Sequence, residues 1–403
     1  MMICESGGKM ARGRWYCLAL LCAVIHAPAQ SVPGDGTASP KLIPRTKAQR
    51  EAQYAANHRI LLNVQVTDPS GHAVTGLDAQ DFTLQINHQL EAITSFQAVK
   101  DGGATAHAHA FFVIDMLNNS THDLANAHQA IEKLAGSAKL LPLPTSLVVL
   151  TEKGTQVSSA SRNAEEVATE LERATRNFHL IDCTADWNNA ALGTAISITS
   201  LDDIDRVLNR EKTADWIRNC LNEKYQLSFT ALLDFAHQQH RVPGRSILIW
   251  IGPGWPILSG PEFIPDTPDV RQSFFANLVQ VSTELREGQV TLDAVSWPAS
   301  SPIAKLNSSD LETPMRGTST AAQASARSVA MPVLAHISGG RVYMHEKNLT
   351  PELAACLADA NSYYVLGFDS VPSKGPDEFR AIEVTVNKPG VTLRTNTAYF
   401  AQP

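Results

Sequence analysis

Four short apolar runs, separated by segments of helical period, constrain this chain more than any other feature. FFVID (111–115), SLVVLT (146–151), SILIWI (246–251) and VTLDAV (290–295) carry apolar residues at nearly every position. A strand of that kind must be covered on both faces. After the first run, Leu124, Ala127, Ile131, Leu134, Ala138 and Leu141 recur at helical spacing. Asn163, followed by Glu165 and Glu166, suits the start of a helix carrying Val167 and Leu171. The stretch Thr230 to His240 reads as helix and stops at Pro243-Gly244, and Val270 to Arg286 places Phe274, Phe275, Leu278, Val281 and Leu285 on one stripe. Val333 to Ile337 reads as a short helix ended by Gly339-Gly340, with RVYM as a short strand after it. Thr350-Pro351 opens a last helix that leads into the strand YYVLGF. Strands alternating with helices in this way imply an α/β fold with a mostly parallel, doubly wound sheet.

The flanks follow a different rhythm. RILLNVQV, DFTLQI and AITSF near the start, and FRAIEVTV and GVTLRTNTAYFA at the end, alternate apolar and polar positions. Each is a half-buried antiparallel strand. Neither flank is large enough to close a core alone, and each would leave strand edges unpaired. The two groups, residues 58–100 and 376–403, are therefore expected to form one small accessory β domain beside an α/β domain spanning 108–370. Two stretches interrupt that domain. Residues 179–225 read as a partly helical insert, and residues 298–328, rich in Ser, Ala, Thr and Pro, as a long flexible loop.

The N-terminus reads as an export signal. Arg12 and Arg14 precede an apolar run from Trp15 to Ile25, and Ala27-Pro28-Ala29 is a small-x-small cleavage site. Residues 1–29 are then a signal peptide and 30–57 a flexible leader. The expectation is an exported protein, periplasmic or extracellular, with no stable membrane anchor. In an oxidising compartment Cys183 and Cys220, which flank the insert, are the natural disulfide pair, leaving Cys356 as a core thiol.

Composition excludes some classes. With 18% charged residues and a formal charge of −7, the chain offers no clustered basic surface for nucleic acid. No P-loop, G-x-S-x-G or G-x-G-x-x-G motif is present. His237 and His240 stand three apart, but no Glu follows the first, so the metalloprotease motif is missing and a solvated helix face is the expected reading. His107 and His109 read as a polar linker before the first buried run. Gly252-Pro253-Gly254-Trp255-Pro256 is an unusual loop at the edge where doubly wound sheets bind ligands, with Trp255 either a binding anchor or a lid over the sheet.

The order of these pieces resembles the secreted VWFA-related family of bacteria, best known from Acidobacteria. DPSGHAVTGLDAQDFTLQINHQLEAITSF is similar to that family's leader, FFVIDMLNNST to its first strand and metal-site loop, and VPGRSILIWIGPGWP to its fourth strand. LAHISGGRVY and NSYYVLGFDS match its late helix-turn-strand and its last sheet strand. The resemblance covers about residues 58 to 401, apart from the insert and the loop. It implies a von Willebrand A-like, Rossmann-type domain and a metal-dependent adhesion site, in which a D-x-S-x-S loop, a Thr and a distant Asp hold Mg²⁺.

On that pattern Asp115 is the first acid, Asn119 replaces the second Ser and Thr230 matches the Thr. Leu117 replaces the first Ser and Pro253 the distant Asp. The site is expected to be degenerate. No cofactor is expected, Mg²⁺ being the one ion the resemblance would supply, and Asp115 and Asn118 are expected to bond the backbone of their own turn. The function implied is a non-catalytic protein-binding or adhesion module whose edge includes Asn118, Ser120, Gly252, Gly254 and Trp255, with another protein as partner. A structural part in an envelope assembly, or a hydrolase built on Asp115 or a histidine, are the competing readings.

Overall fold

The computed structural model describes residues 58–100, 108–137, 139–176, 183, 201–255, 266–296, 308–344, 349–359 and 362–403. The expected signal peptide and leader, His107, most of 179–200 and the first part of the 298–328 segment lie outside the described residues. The chain opens with β1 (Arg59–Thr67), β2 (Phe82–Ile86), β3 (Gln89–Glu91) and β4 (Ser95–Lys100). The α/β part begins with β5 (Ala108–Asp115), α1 (Thr121–Ser137), β6 (Leu140–Thr151), β7 (Gly154–Val157), β8 (Ser161–Asn163) and α2 (Ala164–Thr175). It continues through α3 (Leu201–Gln239), β9 (Arg245–Ile251), α4 (Pro268–Glu287), β10 (Val290–Ser296) and α5 (Ser308–Met315). After α6 (Met331–Ile337), β11 (Val342–Met344) and α7 (Thr350–Ala358) come β12 (Ser362–Asp369), β13 (Glu378–Val386), β14 (Thr392–Arg394) and β15 (Ala398–Ala401).

The main sheet has the order β11-β10-β9-β5-β6-β7, with β8 also pairing β6. Pairings from β11 through β6 are parallel, while β7 and β8 join β6 antiparallel. Helices cover both faces, which is why the strands are apolar on both. On one side Ala127, Ile131 and Leu134 of α1, Val167 and Leu171 of α2, and Leu353 and Leu357 of α7 pack on Phe112, Ile114, Leu147 and Ile249. On the other, Phe229, Leu232 and Phe235 of α3, Leu278, Val281 and Leu285 of α4, and Val333 and Leu334 of α6 pack on Val113, Val148, Leu248 and Leu292. This is the doubly wound α/β fold.

The strands of the two chain ends form a sandwich of two antiparallel four-stranded sheets, β14-β1-β12-β4 and β15-β13-β2-β3. Leu62, Val64, Val66, Phe82, Leu84, Leu366, Phe368, Ile382 and Val384 fill the space between them. Strand β12 departs from expectation. YYVLGF reads as the last strand of the main sheet, yet it pairs β1 and β4. Tyr364, Leu366 and Phe368 face the sandwich core, while Tyr363 on the opposite face lies against the Arg245 guanidinium, 5.0 Å from its ring centroid. Both faces are covered, but by different neighbours, so the run looks like a doubly covered parallel strand.

Two further expectations are corrected. The segment 308–330 is no flexible loop. It holds α5 and two 3₁₀ turns, with Leu311, Ala324 and Val329 buried in the core beneath α4. Small Ser and Ala side chains let this segment lie close to its neighbours, and sparse apolar anchors are enough to fix it. The insert, too, has no break at 225, because α3 runs unbroken for 39 residues. Cys183 and Cys220 form a disulfide that ties α3 to the preceding segment, and Cys356 is buried and free. Among the described residues no helix is long and apolar enough to cross a membrane.

A buried charged seam joins the two parts of the molecule. Arg245 at the start of β9 donates to the Gln65 side chain of β1 and to the Asp359 carbonyl, at 3.1 and 3.2 Å. Asp359 accepts from Arg341 through both oxygens at 2.7 Å and forms an ion pair with Arg394 at 2.7 Å. Asp293 accepts from the Arg341 backbone N–H at 2.6 Å. Burial, followed by the charge of Asp359, raises its carboxyl to about 6.

Candidate functional site

In the main sheet the chain leaves β5 toward one face and β9 toward the other, and these two strands are neighbours. The loops at their C-terminal ends diverge there and leave a crevice, the position at which open α/β sheets bind ligands. Asp115 ends β5 and Gly252 follows β9, so the candidate site is built from residues 115–120 and 252–255.

Gly252 is required by close approach. Its φ is +142°, and a Cβ there would sit 2.3 Å from the Asn119 Oδ1. The two loops therefore touch, Asn119 lying directly against the Gly252 backbone. The backbone N–H of Gly252 also donates to Val295 at 3.0 Å, which ties the loop to β10.

Asp115 is fully buried and wholly engaged by its own surroundings. Its Oδ1 accepts from the Leu117 backbone N–H at 3.0 Å. Its Oδ2 accepts from the Asn118 Nδ2 and the Ser228 Oγ, each at 2.7 Å. The backbone carbonyl of Asp115 closes the turn by accepting from Asn119 N–H at 3.0 Å. Burial pushes the carboxyl above its ordinary value, against the pull of the bonds from Asn118, Ser228 and the Leu117 backbone. Asn118 Oδ1 and Asn119 Nδ2 are buried and make no hydrogen bond among the described residues.

The remaining expected residues fall elsewhere. Thr230 is exposed in the middle of α3 and does not reach Asp115. The hydroxyl that does is Ser228, two residues earlier and fully buried. Its position was legible in principle, since it belongs to the buried helical stripe of Tyr225, Phe229, Leu232 and Ala236. The helix runs through 225 without a break, so Ser228 lies on the same face as that stripe. Trp255 is no exposed anchor: it is buried, donates to the Val329 carbonyl at 3.0 Å and packs against Tyr225, Phe229 and Trp250 of β9, so it covers the sheet in the manner of a lid. Gly254, at φ +76°, brings the chain against Met331, 2.9 Å from where a Cβ would stand. Ser120 exchanges hydrogen bonds with Asp123 and so caps α1.

The donor set does not fit Mg²⁺. That ion demands near-octahedral oxygen ligands at roughly 2.0–2.1 Å. Both Asp115 oxygens already accept from N–H or O–H donors. Leu117 brings no oxygen, Pro253 no carboxylate, and Thr230 lies off the site. A dication here would need the Asn118 and Ser228 donors to turn away from the Asp115 carboxylate. What the two loops offer is neutral: the carboxamides of Asn118 and Asn119, with half-buried Ser120 and Pro253 and exposed Thr121 and His122, while exposed Glu152 and Lys153 follow the neighbouring β6.

The sequence matches no family model and no curated protein. Among solved structures the chain is similar to an aerotolerance-related membrane protein of Bacteroides fragilis, at 11% identity over 63% of this chain and 98% of that one, with a TM-score of 0.32. It is similar to manganese-loaded Plasmodium vivax TRAP at 9% identity, covering 75% and 96% of the two chains, TM-score 0.32. A third likeness is to the conserved protein BatB of Bacteroides thetaiotaomicron, at 9% identity, 62% and 96% coverage and TM-score 0.26. The fold itself is read from this chain's own strand order: a doubly wound, von Willebrand A-like α/β domain with a β sandwich made from both ends of the chain.

Proposed function

We propose that this chain is a non-catalytic, exported protein-binding module that engages another protein at the crevice between the ends of β5 and β9 without a bound Mg²⁺. The observation that carries this reading is the closed hydrogen-bonding of Asp115. Leu117, Asn118 and Ser228 take three of the roughly four lone-pair sites of this carboxylate, which leaves a single one, on Oδ1, for an ion or a substrate proton. The Ser228 hydroxyl is buried and bonded to the Asp115 carboxylate, away from any surface a substrate could reach, which does not favour a nucleophile there. Exposed polar side chains beside two carboxamides suit recognition of a protein surface by shape and hydrogen bonds. Export is supported by the tripartite N-terminal segment and by the Cys183–Cys220 disulfide.

The test uses capture of envelope and secreted proteins on the full-length chain, with and without a chelator. A second bait carries Thr121→Arg and Glu152→Arg on the exposed rim. Proteins retained by the first bait in chelator and lost from the second are the expected result. Retention that requires Mg²⁺, or that ignores the rim substitutions, contradicts the reading.

A further inference from the structure

We infer that His237, His240 and Glu284 form a binding site for one first-row transition-metal dication, Zn²⁺ being the type ion, at the edge of the sheet opposite the crevice. The inference is independent of the proposed binding function. His237 and His240 occupy the last turn of α3 and the residue just beyond it, one helical turn apart. Glu284 comes from the last turn of the neighbouring α4. Both helices end where β9 and β10 begin, so the cluster lies at the N-terminal edge of the parallel strands.

Sequence spacing alone shows only an H-x-x-H pair on a helix face. The fold supplies the third group. His237 Nδ1 stands 3.2 Å from Glu284 Oε2, and His240 Nε2 stands 3.1 Å from the same oxygen. All three ligand atoms lie within 4.8 Å of one another. Donors sharing one Zn²⁺ at roughly 2.0–2.2 Å, at tetrahedral or octahedral angles, are themselves separated by about 2.9–3.5 Å. The two nitrogen–oxygen distances already meet that spacing as hydrogen bonds, and a bound ion would replace them together with the 3.3 Å contact of His240 Nε2 with the Glu284 backbone carbonyl.

The backbone under the cluster is fixed. Gly288 ends α4 by donating to the Glu284 carbonyl at 2.9 Å, and a Cβ on Gly288 would stand 2.6 Å from the Ala236 carbonyl. The two helices thus touch one turn away from the ligands, and only glycine permits it. Gln239, between the two histidines, is buried and accepts from the Ser246 hydroxyl at 2.8 Å. Ligands on two helices locked at their point of contact are preorganised.

The donor types select the ion. Two imidazoles and one carboxylate suit Zn²⁺, Fe²⁺, Co²⁺ or Ni²⁺, whereas Mg²⁺ and Ca²⁺ prefer oxygen alone. Three protein ligands leave at least one position open, and His237, at 63% exposure, puts that position toward solvent. Water or a donor from a bound partner completes the shell.

Zn²⁺ titration into the full-length chain by calorimetry tests the site, with Co²⁺ absorption as a second readout. The expected result is one tight equivalent of Zn²⁺, weakened tenfold or more in both His240→Ala and Glu284→Gln. The visible Co²⁺ bands should disappear in the same variants. All three side chains are at least partly exposed, and metal-free circular dichroism shows whether each variant keeps its fold. The absence of a stoichiometric Zn²⁺ equivalent in the wild type, or an isotherm unchanged by either substitution in a folded variant, overturns the inference.

Discussion

Three donors converge on the Asp115 carboxylate, and removing it leaves the Ser228 hydroxyl, the Asn118 amide and the Leu117 N–H without an acceptor in a buried turn. Each such loss costs about 1–3 kcal/mol. Asp115→Ala is therefore expected to lower stability by roughly 3 kcal/mol or more in metal-free buffer, read as a fall in the urea midpoint. A substitution without effect there would mean that the carboxylate is no structural anchor. Asp293 gives a second residue-scale expectation, with a pH sign. Its folded value, about 6, lies above the ordinary 3.8. Between those values the folded chain holds a proton the unfolded chain has released. This contribution to stability is present below about pH 4 and lost as pH rises through 6. Asp293→Asn keeps the acceptor for Arg341 and removes the charge. It should raise the melting temperature at pH 7.5 while changing it little at pH 4. The loss of wild-type stability over that interval from this group is on the order of 3 kcal/mol.

Element boundaries show where sequence patterns suffice and where they fail. Strands β5, β6, β9 and β10 are legible because nothing but a doubly covered strand carries such apolar runs. The start of α4 is legible because Thr267 caps it and Pro268 follows. Helix α3 is harder, since its first turns are rich in charged residues that mask the helical period. The helix is continuous through 225, so the hydroxyl that faces Asp115 is that of Ser228, two residues before Thr230. The α5 segment is obscured for another reason: its buried anchors are few, and its composition is that of a linker. The disulfide belongs to this scale as well. It closes a separation of 37 residues at the N-terminal side of the described half of α3. Replacing both cysteines with serine should cost roughly 4 kcal/mol by the denatured-chain entropy of a loop of that length. A non-reduced peptide map of the exported protein should recover Cys183 joined to Cys220, with Cys356 alkylated only after denaturation.

At the scale of the whole molecule, the two chain ends are interdependent. Strand β13 is the direct partner of β2, and β14 closes the edge of β1. Truncation after Ser370 removes β13, β14 and β15 and opens the sandwich core at Ile382, Val384 and Tyr399. Residues 58–100 should then become sensitive to protease while the α/β part keeps its helical signal. Continued protection of those residues would contradict the pairing. The doubly wound order and the crevice at β5 and β9 follow from the strand pattern, whereas the chemistry of the crevice does not. A D-x-x-N-N sequence is compatible with an open ion site or a closed turn, and only the arrival of Ser228 from α3 decides between them. Calorimetric titration of Mg²⁺ into the full-length chain addresses that decision most directly, because an oxygen-seeking ion discriminates the crevice from the histidine cluster. The account predicts no saturable heat and no shift in melting temperature at millimolar Mg²⁺. Micromolar binding that Asp115→Ala abolishes would contradict it.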